Sequence, residues 1–404
     1  MKIIIPTIGT RGDIQPYLAL SQGLITRGHD VILMSHHGFS KLAARYDVPF
    51  ASMGPDIDLE HLGADIRGRS RNWLASMLRT MRFSRHIQEQ SIDDICRQAK
   101  DADLVLVSHS GAGSIAADKC NIPKISTTLM PMAIPANDPN TNRAVKAASK
   151  LVGFGMDMIM ARPINKIRHR QGLPSMGQAG ITSNLLNLIP ISPLVFPPNP
   201  LWEERHKMTG YWFLNEKNDW QPPDELADFL ESGEKPFLVS LGAMSSGKDS
   251  LSIAQTMIQA LKHNGIRAII QGWHEAADLL ADNKFIFHSP AVPHSWLLQQ
   301  VRAIVHHGGF GTTAAALRAG IPSLVIPHIL DQFIWGSKIF ELGAGPKPIR
   351  RTKISQENLN KAIHQLYYND DFEQKAAALG QQIRKDNGVK AAVDLIEKTM
   401  NSLV

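Results

Sequence analysis

One order of elements recurs along the chain and fixes its fold class. Lys2–Ile5 is a short apolar run. It is followed by a glycine-containing loop from Gly9 to Gly12, a helical stretch from about Gln15 to Arg27, the turn Gly28-His29-Asp30, and a second apolar run, Val31–Met34. Strand, helix, strand in that order requires a parallel pair joined by a right-handed crossover. The same order restarts after Pro236, with strand Phe237–Leu241, loop Gly242–Asp249, helix Ile253–His263, a turn at Gly265 and strand Ile266–Ile270. A second echo is closer still. Leu104–Val107 leads into His109-Ser110-Gly111-Ala112-Gly113-Ser114, a helix, and Asn121-Ile122-Pro123. Ala303-Ile304-Val305 leads into His307-Gly308-Gly309-Phe310-Gly311-Thr312, a helix, and Gly320-Ile321-Pro322. Two echoes in the same order predict two similar doubly wound α/β domains, not one long sheet.

A chain of 404 residues has room for two such domains. Its 43% hydrophobic and 20% charged residues supply an ordinary core for each. Pro190, Pro193, Pro197, Pro198 and Pro200, then Pro222 and Pro223, mark the boundary. Such a stretch resists continuous helix and favours an extended connection. The expected division is an N-terminal domain at 1–195, a linker at 196–223, a C-terminal domain at 224–388 and a C-terminal helix within 389–404. Packing of that helix back on the first domain is one arrangement open to it.

The net charge of +6 fits either a generic basic surface or attraction to something anionic. No run of five or six Lys/Arg exists, so no nucleic-acid partner is expected. Arg67, Arg69, Arg71, Arg79, Arg82 and Arg85 form a basic region that suits a solvated face, an acidic ligand or peripheral contact with an anionic membrane; these stay open. Cys96 and Cys120 form no Cys-x-x-Cys pair, which argues against a disulfide framework and fits a reducing, cytoplasmic compartment. No stretch of about 18 apolar residues is present, and the opening apolar run is too short for a signal peptide. Asp56-Ile57-Asp58, Asp101-Ala102-Asp103 and His36-His37 lack further ligands at metal-binding spacing, so no metal is expected.

Three loops at strand ends carry the chemistry, because ligands of open α/β sheets bind beyond the carboxyl ends of strands. The first is Thr7 to Asp13. Asp13, at a helix start, is either an N-cap or a general base. The second, His306 to Thr313, is rich in glycine and opens a helix, where backbone N–H groups and the helix dipole favour an anion such as a diphosphate. The third, Pro327 to Gln332, pairs an acid with an amide, suited to vicinal hydroxyls or to a solvated loop. Gly242 to Asp249 nearly fits a nucleotide-triphosphate loop. However, Asp249 replaces the required hydroxyl and would repel phosphates, which argues against an ATPase.

Together these pieces resemble the GT-B glycosyltransferases of the UDP-glycosyltransferase superfamily, in the branch of sterol, antibiotic and lipid glycosyltransferases. The segments carrying the resemblance are Gly9 to Pro16, Gly28 to Val31, Val292 to Leu298, His306 to Thr312, and Asp331-Gln332. The resemblance implies two Rossmann-like domains facing across a cleft, with a nucleotide diphosphate sugar, UDP-glucose first, as co-substrate and no cofactor. It implies an inverting, metal-independent hexosyl transfer to a small hydrophobic acceptor. By position it makes Asp13 the general base. It assigns His307, Gly309, Gly311 and Thr312 to the diphosphate, Asp331 and Gln332 to the sugar hydroxyls, and the backbone near Val292 to the nucleobase. Thr10, Gly242 and His294 join the donor contacts, and Trp273 is either a stacking residue or core packing. Two positions depart from the pattern. Ala243 replaces a serine, with Ser245 or Ser246 as candidate substitutes, and Ala291 replaces a base-stacking tryptophan. An epimerase of the same fold and a non-catalytic nucleotide-sugar-binding protein are the alternative functions. The many methionines between Leu59 and Met160, among them Met77, Met81, Met130, Met132, Met156, Met158 and Met160, suit an adaptable acceptor pocket or an ordinary core.

Overall fold

The computed structural model describes residues 1–55, 73–108, 111–134, 161–177, 182–214, 220–245, 249–273, 285–328 and 330–403. These fall into two compact units. One holds the described residues up to Leu214 and again from Asn387; the other holds those between Asn215 and Asp386.

The first unit is built on strands β1 (Lys2–Pro6), β2 (Asp30–Ser35), β3 (Phe50–Ser52), β4 (Leu104–Val107), β5 (Lys124–Thr127), β6 (Asn187–Ile189) and β7 (His206–Met208). They pair in the order β3-β2-β1-β4-β5-β6-β7, every pair parallel. Helices α1 (Arg11–Thr26), α2 (Ser40–Arg45), α3 (Trp73–Gln98), α4 (Gly111–Cys120) and α5 (Arg162–Arg170) connect and flank them. The three isoleucines of β1 show why the sheet is covered on both faces. Ile3 and Ile5 join Leu104 and Leu106 in one core, and Ile4 joins Val105 and Val107 in another. Near-continuous apolar strands with alternate residues buried on opposite faces are the mark of a doubly wound parallel sheet.

The second unit repeats the plan. Strands β8 (Phe237–Ser240), β9 (Ala268–Gln271), β10 (Ile286–Ser289), β11 (Ala303–His306) and β12 (Ser323–Val325) pair in the order β10-β9-β8-β11-β12, again all parallel. Helices α6 (Asp224–Glu231), α7 (Ser250–His263), α8 (His294–Gln300), α9 (Phe310–Ala319), α10 (Leu330–Glu341), α11 (Gln356–Tyr368) and α12 (Asp370–Ile383) complete it. Relabelled from its own first strand, this order is 3-2-1-4-5, the same as the first five strands of the other sheet. The fold is thus α/β with two Rossmann-like doubly wound parallel sheets. In each sheet the order reverses beside the first strand, opening a crevice between the loops after β1 and β4, and between those after β8 and β11.

Two expectations need correction. The stretch read as linker, 196–223, contains β7, which extends the first sheet by pairing with β6. Prolines flank His206–Met208 but do not interrupt it, so its backbone donors remain free to pair. The first helix begins at Arg11, not near Gln15, for a reason that lies in the candidate site.

The last helix, α13 (Gly388–Asn401), belongs to the first unit. Ala392, Val393, Ile396 and Met400 complete the core that contains Ile3, Leu20 and Leu24. Arg27, the C-cap of α1, clasps Asp394 at 3.1 Å and also pairs with Glu397, whose other oxygen lies 3.0 Å from His29 Nε2. The contact is close: a Cβ on Gly23 would lie 2.4 Å from Val389 Cγ1.

Candidate functional site

In the first unit, Asp13 is the third residue of α1 and Thr10 the residue that starts it. Asp13 is not itself the N-cap. Its Oδ2 reaches back to accept the Thr10 N–H at 2.7 Å and the Thr10 hydroxyl at 3.0 Å. That bond satisfies a donor at the helix start and brings the first turn forward to Arg11. The loop before it is shaped to the carboxylate. Gly9 has φ +156°, and a Cβ there would lie 2.4 Å from Asp13 Oδ2, so glycine is needed for close approach as well as conformation. Asp13 is half-buried, at the crevice between the loops after β1 and β4.

In the second unit, three strand-end loops interlock around His307. Gly242, at φ +57°, turns the chain after β8, and a Cβ there would lie 3.5 Å from His307 Cε1. Gly308, at φ +86°, passes between β12 and α10, where a Cβ would meet Val325 Cγ1 at 2.6 Å and the Gln332 carbonyl at 2.9 Å. Gly309 lies under the imidazole of His307, with room for no Cβ, which would be 2.4 Å from Nε2. Gly309 is also the N-cap of α9, so no side chain caps that helix and no acidic residue lies in its first turn. The amide groups of Gly311 and Thr312 therefore face an end that is electropositive and open to an anion.

The neighbouring histidine, to which sequence reasoning assigns no separate role, sets the loop. His306 is fully buried, and its Nδ1 accepts the Gly308 N–H at 3.1 Å, which leaves the ring proton on Nε2. Burial, then the nearby His307 and His294, hold its pKa well below the ordinary value, so it stays neutral.

His294 opens α8, and its Nε2 lies 3.3 Å from Oε1 of Gln271, a buried residue at the end of β9 that sequence reasoning did not single out. Val292 is half-buried two residues earlier. Trp273 is 2% exposed within the core of this unit, and its backbone at φ +52° is rare for a bulky residue; of its two readings the structure shows packing. Asp331 is half-buried on the first turn of α10. Gln332 is buried, and its side-chain carbonyl accepts the His328 N–H at 2.8 Å, so that oxygen holds the loop. His328 has its pKa pushed down to about 3, by burial first and then by Arg351. The Ser245 hydroxyl donates to the Gly242 carbonyl at 2.8 Å.

Several singled-out positions lie outside the described residues: Asp56, Asp58, Arg67, Arg69, Arg71, His109, Ser110, Met156, Met158, Met160 and Ser246. So do the side chains of Met77, Arg79, Met81, Arg82, Arg85 and Ala243. Met130 and Met132 are 38% and 40% exposed after β5. Among the described residues, no group of three His, Cys, Asp or Glu could hold a metal, and no helix is long and apolar enough to cross a membrane.

Comparison with known proteins agrees with this architecture in both halves. Residues 3–127 match the model of the glycosyltransferase family 28 N-terminal domain, and residues 269–393 match that of the erythromycin biosynthesis protein CIII-like C-terminal domain. The chain is 30% identical to the sterol 3-beta-glucosyltransferase of Kluyveromyces lactis over 96% of its own length and 34% of the relative's. It is 30% identical to that of Komagataella phaffii over 99% and 34%. The chain thus spans about a third of the length of these curated relatives. Among solved structures, the glycosyltransferase of kitacinnamycin superposes with a TM-score of 0.75 at 18% identity, covering 99% of both chains. Glycosyltransferase VinC, in complex with dTDP, superposes with a TM-score of 0.73 at 18% identity, covering 100% of both. With the duplicated strand order, the glycine-shaped strand-end loops and these matches in both halves, the chain has the fold of the GT-B glycosyltransferases and is similar to them along its whole length.

Proposed function

We propose that the chain is an inverting glycosyltransferase that moves a hexose from a nucleotide diphosphate sugar to a hydroxyl of a small hydrophobic acceptor. The observation that supports it most is the second unit's uncapped α9, whose N-terminus is shaped by Gly308 and Gly309 around His307. In this reading the amides of Gly311 and Thr312 and the His307 imidazole bind the diphosphate. They stabilise it as it departs, without a metal. Asp331 holds the sugar hydroxyls, while the Gln332 side chain holds the loop that presents them. Val292 and His294 lie on the nucleobase side. Asp13 takes the proton from the acceptor hydroxyl as its oxygen forms the new bond to the anomeric carbon and the carbon–phosphate-oxygen bond breaks. Asp13 suits this role because only Oδ2 is engaged with Thr10.

The sterol 3-beta-glucosyltransferase names among the relatives make UDP-glucose and a sterol the first pair to test. Purified protein is incubated with UDP-glucose, dTDP-glucose or GDP-glucose and a panel of sterols, long-chain alcohols and phenols, and products are resolved by mass. Glycosylated acceptor with release of the nucleoside diphosphate is expected. An altered free sugar nucleotide without any glycosylated product would instead make the protein an epimerase. An anomeric configuration retained from the donor would overturn the single-displacement mechanism.

A further inference from the structure

Asp249 stands where a nucleotide-binding loop would need a hydroxyl, immediately before α7. It is the N-cap of that helix, yet its carboxylate makes no capping bond. Both oxygens go instead to one guanidinium. Arg351 Nε donates to Oδ2 at 2.8 Å, and Nη2 donates to Oδ1. Arg351 is held from behind. Its backbone N–H approaches the Pro327 carbonyl at 3.4 Å, and the Ile349 N–H bonds the Val325 carbonyl at 3.0 Å, so this segment runs along the end of β12. The Arg351 side chain is 17% exposed and that of Asp249 56%. His328 is within electrostatic reach of Arg351, Asp249 and His307. Its ring nitrogens are buried and make no hydrogen bond of normal geometry, although the Ile326 carbonyl is near. The loops after β8, β11 and β12 therefore meet beside one carboxylate and one guanidinium that cancel.

We infer that Arg351 is a positioning residue for nucleoside diphosphate binding, masking Asp249 so that its charge does not oppose a diphosphate at the N-terminus of α9, an inference that rests on the donor-site reading proposed above. An unmasked carboxylate at the head of α7 would oppose a diphosphate bound at the neighbouring loops. Arginine suits the task because its planar fork engages both carboxylate oxygens at once, which a lysine cannot do. The carboxylate in turn fixes the guanidinium at the strand end.

The test is a double-substitution cycle on the full chain, with UDP binding measured by calorimetry at neutral pH and low ionic strength. Arg351→Met alone is expected to weaken UDP by about tenfold, equivalent to ~1.4 kcal/mol. In an Asp249→Asn background, removing Arg351 is expected to change affinity by less than about threefold, because no charge is left to mask. The second comparison stands even if Arg351→Met fails to fold. A large loss in the Asp249→Asn background overturns the inference, since Arg351 would then act on the phosphates directly. An unchanged affinity of folded Arg351→Met overturns it equally. A wild-type protein that binds no nucleoside diphosphate removes the donor-site reading and this inference together. Binding by the wild type without the expected cycle removes the inference alone.

Discussion

Asp13 has two jobs that one substitution can separate. Its Oδ2 accepts two hydrogen bonds from Thr10, at 2.7 and 3.0 Å, which fix the first turn of α1. The proposed chemistry uses its basicity. Asparagine keeps an oxygen that can accept both Thr10 bonds and loses the basic group, whereas alanine loses both. Exchanging a charged for a neutral acceptor removes about 1 kcal/mol of net hydrogen-bond stability. Losing the acceptor altogether removes about 1–2 kcal/mol, the range for a missing cap. Loss of a general base lowers turnover by about 10²–10⁴, or ~3–5 kcal/mol of barrier. Asp13→Asn should therefore unfold at only slightly lower denaturant and bind UDP normally, yet be at least a hundredfold slower in UDP release. Asp13→Ala should be equally slow and less stable. The assays are urea denaturation followed by circular dichroism, UDP calorimetry and coupled detection of released UDP. Turnover of Asp13→Asn within about tenfold of wild type would falsify the base assignment. Equal stability of the two variants would refute the account of the helix start.

Further predictions concern other elements. Gly309→Ala places a Cβ 2.4 Å from His307 Nε2 and should weaken UDP binding by about tenfold, read by calorimetry; unchanged affinity would remove His307 from the diphosphate site. Ile396→Ala empties a fully buried position of α13 and should cost about 2–5 kcal/mol in chemical denaturation, while a loss under about 1 kcal/mol would mean that α13 is not part of that core. His306 and His328 have folded pKa values below the ordinary 6.5, that of His328 at about 3. Below about 6.5 the unfolded chain binds more protons, so their contribution is full above that pH and is lost as pH falls toward the folded values. Each contributes a slope of up to ~1.4 kcal/mol per pH unit, and His328→Gln should flatten the stability profile between pH 6.5 and 4.5. An unchanged slope would refute burial of a neutral imidazole there.

What the sequence disclosed follows from the range of the interactions involved. The strands were legible because Ile3-Ile4-Ile5 or Ala303-Ile304-Val305 declares burial locally, and the repeated order of strand, loop and helix determines the parallel sheets. Glycine marked the loops because its conformational freedom is a local property, as at Gly308. The start of α1 is not legible because it depends on the Asp13 side chain reaching back to Thr10, a contact that residue type alone does not reveal. β7 was missed because a three-residue strand among prolines has no pattern of its own and exists only through β6. The pairing of Asp249 with Arg351 joins residues far apart in the chain, so Asp249 alone looked like an unfavourable carboxylate. For the same reason, His306 looked like a neighbour of His307 until its bond to Gly308 was seen.

The return of α13 to the first unit has a consequence for synthesis. A ribosome makes residues 215–386 before it makes the helix that closes the core of residues 1–214. The second unit is the first for which every residue exists. Leu20 and Leu24 of the earlier unit lack Ile396 until α13 is made. Domains commonly fold as units during synthesis, N-terminal first. Here the chain of the second unit is complete first, and until α13 is made the core around Ile3, Leu20 and Leu24 lacks the side chains of Ala392, Val393, Ile396 and Met400.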